Sequence, residues 1–192
     1  MKYICDLFDI GNKHSIIRKK MLEQDLRLSE LDVETYKIPS DYTIENFSFD
    51  AATYEREIRT AIEPVVRIAE DSGYKNNLFT ALYEGVLNAF QHGNNKDSSK
   101  KVILAYKIGE NQAEFSIIDE GENINPEFVS YVAWIRGGGL SRDFRNFYSF
   151  AELDKPKTNN GTGTIFMHNY VDSLKYFKSE KGGLVVHLVK KK

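Results

Sequence analysis

Three short segments carry residue types that could handle a nucleotide. The first is Glu84-Gly-Val-Leu-Asn88-Ala89-Phe-Gln-His92-Gly93. Glu84 and Asn88 are four apart, so on a helix they share a face, and His92 extends the row by another turn. A carboxylate above a carboxamide offers hard oxygen donors, which Mg²⁺ takes while keeping several waters. In that reading Asn88 ligates the metal, and Glu84 orients or deprotonates a hydroxyl or water. Taken alone, the pair also reads as an ordinary solvated helix face. The second segment, Asp119-Glu-Gly121-Glu-Asn123-Ile124, directly follows an apolar–polar alternation. An aspartate at a strand end can accept a hydrogen bond from an exocyclic amine such as that of adenine, and Gly121 lets backbone approach a flat base. A plain Asp-x-Gly turn is the alternative. The third is Asn159-Asn160-Gly161-Thr162-Gly163-Thr164-Ile165. Glycines before a helix expose backbone N–H groups where the helix N-terminus favours phosphate. A flexible entry loop with Thr164 as N-cap fits the same residues. No Gly-Lys-Ser/Thr follows, so this is not a Walker loop.

These segments need elements to hold them. Residues 51–72 predict a long helix, with Ala51, Tyr54, Ile58, Ala61, Ile62, Val65, Val66 and Ala69 building one apolar stripe. Pro64 is interior and predicts a kink or interruption, and Gly73 is a natural stop. Residues 75–92 predict the next helix, its polar row of Glu84 and Asn88 facing away from Phe79, Leu82 and Val86. Residues 101–108 and 113–118 alternate around Gly109-Glu110-Asn111, which predicts a hairpin. Residues 119–162 read mostly as loop, with helical pieces near 127–135; so long an irregular stretch usually serves function. Residues 164–173 read as a helix, and 174–177 with 184–189 as a closing hairpin around Lys181-Gly182-Gly183. Towards the N-terminus, 15–31 reads as an amphipathic helix and Val33–Ile38 as a short strand closed by Pro39. This order predicts an α+β fold: a two-layer sandwich, its mainly antiparallel sheet covered by helices on one face.

Composition narrows the function. The chain has 192 residues, 26 Lys plus Arg against 28 Asp plus Glu, and a net charge of −2. That balance gives no global electrostatic reason to bind nucleic acid or an anionic membrane. No uncharged apolar run reaches the ~18 residues of a membrane span. Cys5 is the single cysteine, which rules out an intramolecular disulfide and fits a cytoplasmic location. No Cys–His cluster offers a structural zinc site.

Together the three segments are more specific than apart. Helix with Glu-x-x-x-Asn, strand then Asp-x-Gly, long loop, Gly-x-Gly, helix: this order resembles the histidine-kinase-like ATPase (GHKL or Bergerat) superfamily. It is most similar to the small anti-sigma-factor serine kinases, through Asn88-Ala89-Phe-Gln-His92-Gly93 and through Gly161-Thr-Gly163-Thr-Ile-Phe-Met167-His-Asn-Tyr-Val171-Asp172. The resemblance covers about residues 35–190 and leaves 1–34 as an extension. It implies an ATP–Mg²⁺ site in which Asn88 takes the metal, Glu84 is the catalytic base, Asp119 reads adenine and Gly121 lines the base. Gly161, Thr162, Gly163 and Thr164 would hold phosphates by their backbone, with an ATP lid over about 122–160. Asn123 stands where the family's Asp-x-Gly-x-Gly box has its second glycine; asparagine tolerates left-handed backbone angles, which would preserve the turn. The lid carries an aromatic and basic insertion over 131–150, in which Arg136, Arg142 or Arg145 could meet the γ-phosphate. The aromatics there read as a packed mini-core. The implied activity is transfer of the γ-phosphoryl of ATP to a serine of a small STAS-type antagonist, sequestration of a sigma factor, or both, with homodimerisation. The competing reading is a non-catalytic module in which ATP or ADP sets the lid for partner binding. His14 has no paired-helix dimerisation domain around it and reads as a surface histidine.

Overall fold

The computed structural model describes residues 27–28, 35–75, 77–156 and 160–192. Six strands form one mixed, mostly antiparallel sheet: β1 (Thr35–Tyr36), β2 (Thr43–Phe47), β3 (Val102–Ile108), β4 (Gln112–Ile118), β5 (Ser173–Ser179) and β6 (Leu184–Lys191). Their spatial order is β1-β5-β6-β4-β3-β2, with β1 parallel to β5 and every other pair antiparallel. Alternation sends Phe115 and Ile117 of β4, and Val186 and Leu188 of β6, into the main core with the helices. The opposite face carries a smaller cluster of Tyr36, Ile118, Phe177 and Val185. The expected α+β architecture is therefore present.

The long helix α1 (Tyr54–Asp71) buries Tyr54, Ile58, Ile62, Val65, Val66 and Ala69, as its stripe predicts. Pro64 does not interrupt it. The proline lies on the exposed face, where the Thr60 carbonyl it leaves unpaired can be met by water. Gly73, at φ +95°, ends the segment. The second helix, α2, starts later than expected and spans Leu78–Asn88 after a left-handed Asn77. Its last turn, Ala89–Gly93, widens into a π-turn, in which the Asn94 N–H donates to the Ala89 carbonyl at 2.8 Å.

The hairpin of β3 and β4 has the expected turn, with Ile108 opposite Ala113. The stretch after β4 is less irregular than its sequence implies. It contains α3 (Pro126–Arg136), α4 (Gly139–Arg142) and α5 (Phe147–Ala151). Asn125 caps α3 by accepting from the Glu127 and Phe128 N–H groups at 2.7 and 3.3 Å; Asn146 caps α5 by accepting from Ser149. Tyr131 packs on Trp134, Phe147 and Phe150 with centroids 5.2–5.8 Å apart, the expected mini-core. The chain then forms α6 (Gly163–Tyr170) and the closing β5–β6 hairpin.

Of the strand read at 33–38, residues 35–36 form β1 and 37–38 leave it, while 33–34 lie outside the described residues; the Tyr36 hydroxyl joins β1 to Ser116 of β4 at 2.6 Å. Strand β2 has no strong sequence signal, because Thr-Ile-Glu-Asn-Phe is mostly polar and exposed at the sheet edge. The helix read at 15–31 lies outside the described residues except at Arg27 and Leu28. Leu28 is fully buried, its N–H donates to the Glu122 carbonyl at 3.0 Å, and Arg27 pairs with Asn123. His14 also lies outside the described residues.

Candidate functional site

Helix α2 is the back wall of the site. Its buried residues press against β4 and α6; a Cβ on Gly85 would meet Ile117 Cδ1 at 2.3 Å, so glycine lets helix and sheet close together. That packing leaves Glu84 and Asn88 facing the cleft. Glu84 is half-buried, and burial raises its pKa while the Arg59 charge opposes the rise. Its Oε2 lies against the start of α6, where a Cβ on Gly163 would fall 2.2 Å away. His92 also lines the cleft; the enclosing wall and the nearby Lys96 lower its pKa, which favours the neutral ring.

The π-turn carries Gly93 directly onto Asp119, at the end of β4. A Cβ there would lie 2.2 Å from Asp119 Oδ2, and one on Gly121 would lie 2.0 Å from the Gly93 carbonyl. The Asp119 side chain is 4% exposed. Its Oδ1 accepts from the Gly121 and Leu184 N–H groups, both at 3.0 Å. Burial nevertheless pushes its pKa up to about 7, outweighing those two bonds. Oδ2, on the Gly93 side, is the oxygen left for a ligand.

Fully buried Asn94 fixes this junction: its Oδ1 accepts from Glu120 N–H at 2.8 Å, and its Nδ2 donates to the Lys101 carbonyl at 3.0 Å. Sequence reasoning missed Asn94, which looks like a turn residue after Gly93. Its significance lies in contacts with residues 7 and 26 positions away.

Another side of the cleft is the N-terminus of α6. The N-cap residue is Thr162 and not Thr164, and neither Thr162 nor any other side chain caps the helix. The first-turn amides of Gly163, Thr164 and Ile165 thus open towards the cleft without a capping side chain. Gly161 takes φ +65° and its carbonyl accepts from Phe147 N–H at 2.8 Å, which ties α5 to this loop.

The cleft is open to solvent and has a cavity volume of about 140 Å³. Of the residues anticipated from sequence, Glu84, Asn88, His92, Asp119, Asn123, Gly161, Gly163 and Thr164 line it together. Gly121 and Thr162, also anticipated, are not among the lining residues. Asn123 keeps a negative φ, so the left-handed turn expected of it is not used. Phe128, Phe147, Tyr148, Met167, Leu184 and Val186 form an apolar wall that sequence reasoning did not assign. The lid arginines point elsewhere. Arg136 donates to the Leu174 carbonyl at 2.7 Å, Arg142 to that of Gly137 at 2.8 Å, and Arg145 pairs with Asp143 at 2.5 Å.

A flat apolar slot ending on a buried carboxylate, leading to an uncapped helix N-terminus, suits a purine nucleotide with its phosphates. The family model for the histidine kinase-like ATPase domain matches residues 47–190. The chain belongs to this family. It is thus an ATP-binding domain of the histidine kinase-like type, and that membership points to ATP-dependent kinase activity. No curated protein matches the chain significantly. The family typically binds ATP with Mg²⁺, and the donors here fit that pair. Asp119 Oδ2 is an acceptor of the kind an adenine amine needs, and Asn88 offers a hard oxygen in the same cleft. Among the described residues no three His, Cys, Asp or Glu side chains cluster as a metal site, so phosphate oxygens and water would complete the ion's shell. Among those residues, too, no helix is long and apolar enough to cross a membrane.

Proposed function

We propose that this protein is an ATP-dependent serine kinase of the anti-sigma-factor type, acting on a small STAS-type protein. The observation that carries this reading is the contact between Glu84 and the first turn of α6, which sets a half-buried carboxylate beside the amides that receive phosphate. Asp119 would hold the adenine amine, Asn88 the Mg²⁺, and the backbone of Gly161–Thr164 the phosphates. The bound Mg²⁺ supplies charge neutralisation on the phosphate oxygens. Glu84 takes the proton of the acceptor serine hydroxyl as its oxygen bonds to the γ-phosphorus. The bond from that phosphorus to the β–γ bridging oxygen breaks, and ADP leaves. A carboxylate raised by burial is a stronger base than one in water, which suits this role. Homodimerisation, a cytoplasmic location and sequestration of a sigma factor belong to the same proposal.

A second reading has its own observation. Phe147 and Tyr148 of the lid line the cleft, and the Phe147 N–H bonds the phosphate loop itself. Nucleotide there would reset the lid, and signalling would follow from partner binding without transfer. One experiment separates the two. The protein is incubated with Mg²⁺, γ-³²P-labelled ATP and a STAS-type protein of the same genome. Label on serine, lost in Glu84→Gln while ATP binding persists, supports the kinase. Tight ATP binding with no transfer to any STAS-type protein of that genome refutes it and favours the sensor.

A further inference from the structure

Among the described residues, four large apolar side chains are exposed: Ile44, Ile68, Phe144 and Leu153. Phe144 and Leu153 both belong to the lid and flank α5 in the chain. Phe144 is the most exposed of the four, at 65%. The lid's mini-core takes in Tyr131, Trp134, Phe147 and Phe150, and Phe144 stays out of it.

The backbone around Phe144 is nevertheless fixed. Before it, the Asp143 N–H donates to the Gly139 carbonyl at 2.9 Å, and the Arg142 guanidinium to that of Gly137 at 2.8 Å. After it, the Tyr131 hydroxyl donates to the Arg145 carbonyl at 2.9 Å, and Asn146 caps α5. The Arg145–Asp143 pair closes the tip across Phe144 itself. An aromatic ring held out on a fixed loop loses little freedom when a partner covers it, as an interface anchor requires.

Placement and charge identify the partner. Helix α5 carries Phe147 and Tyr148 into the cleft, and the Phe147 N–H bonds the Gly161 carbonyl. The helix is only ~8 Å long, and beyond it the Leu153 N–H bonds back to the Tyr148 carbonyl at 3.0 Å. Both exposed side chains therefore belong to the short body that walls the site. A protein whose hydroxyl enters the cleft to reach Glu84 must rest on that rim. Asp143 neutralises Arg145, whereas Arg142 pairs with no carboxylate among the described residues. The tip thus sets an apolar anchor beside net positive charge, which matches an apolar pocket edged by carboxylates. A two-fold dimer through the tip would instead bring like charges together.

We propose that Phe144, supported by Leu153 and Arg142, is the docking anchor for the phosphoacceptor protein. This rests on the reading of the protein as a kinase of a STAS-type acceptor. Calorimetry tests it by titrating the STAS-type proteins of the same genome into the full chain, with Mg²⁺ and a non-hydrolysable ATP analogue. The chains compared are wild type, Phe144→Ser, Arg142→Glu and the exposed control Ile68→Ser. Phe144→Ser weakens acceptor binding by on the order of tenfold or more, and Arg142→Glu weakens it with slower association. Ile68→Ser leaves it unchanged, and all four chains keep their melts and their ATP affinity. In the transfer assay Phe144→Ser raises KM for the acceptor and leaves kcat in place. Acceptor binding that Phe144→Ser does not weaken, or that Ile68→Ser weakens equally, overturns the proposal. So does a wild type that binds no STAS-type protein, or a homodimer that Phe144→Ser dissociates in sedimentation. Binding that depends on Phe144 without any phosphoryl transfer supports the anchor and counts against the kinase reading alone.

Discussion

Replacing Asp119 with asparagine should separate stability from binding. The carboxylate is buried, and its pKa rises from the ordinary 3.8 to about 7. That difference corresponds to roughly 4 kcal/mol between its charged and neutral forms. The sign follows from linkage. The folded state holds this proton more tightly than the unfolded chain, so the contribution of Asp119 to stability is fullest below about pH 4. It falls as pH rises towards 7 and levels off above that. Asparagine is neutral throughout and keeps the oxygen that accepts from Gly121 and Leu184. Asp119→Asn should therefore be more stable than wild type at pH 8, by on the order of 1–4 kcal/mol, with the gap closing as pH approaches 4. Binding should move the other way. The substitution replaces Oδ2 with an amide donor facing the adenine amine, and losing a charged hydrogen bond costs about 1.5–3 kcal/mol, or roughly 10- to 100-fold in affinity. Wild-type affinity for ATP should also rise from pH 6 to 8 as Asp119 ionises, with proton release on binding. Urea melts across pH, with calorimetry in two buffers of different ionisation enthalpy, measure all three. Coincident pH–stability curves for wild type and variant would refute the buried-carboxylate argument; unchanged ATP affinity in the variant would refute the adenine assignment.

Asn94→Ala should cost about 2–4 kcal/mol in a denaturant melt, because it strands the Glu120 N–H and the Lys101 carbonyl, and it should weaken ATP binding by loosening Asp119. Gly163→Ala should leave the melt within about 1 kcal/mol, since the clashing Glu84 oxygen ends a flexible side chain. Its transfer rate should nevertheless fall more than tenfold as the carboxylate is pushed aside; an unchanged rate would count against Glu84 as base. Leu28→Ala should cost about 2–5 kcal/mol as a fully buried truncation, measured by the same melts, and amide exchange at 120–124 should quicken.

Long-period signals were legible in the sequence and short-range exceptions were not. The α1 stripe and both long hairpins follow from apolar spacing, which tertiary packing then satisfies. Pro64 misleads because its cost depends on whether the orphaned carbonyl meets water, a matter of face. The π-turn after Asn88 cannot be seen in a pattern built on 3.6 residues per turn, yet it brings Gly93 onto Asp119. Segment order brought Glu84, Asn88, Asp119 and Gly163 to one cleft, as the resemblance implied. The residues supporting them escaped notice. Asn94 holds backbone groups far along the chain, and the Leu184 N–H reaches Asp119 from 65 positions away. The lid arginines illustrate the reverse error: a guanidinium close in sequence to the phosphate loop is captured by a carbonyl or an aspartate near its own segment.

One cleft holding one nucleotide is the centre of the proposed function. A crystal structure with Mg²⁺ and a non-hydrolysable ATP analogue tests that directly. It should show the adenine amine within hydrogen-bond distance of Asp119 Oδ2, the cation on the Asn88 oxygen and phosphate oxygens at the first-turn amides of α6. Nucleotide bound at another surface, or phosphates lying away from both Asn88 and Gly163, would contradict it.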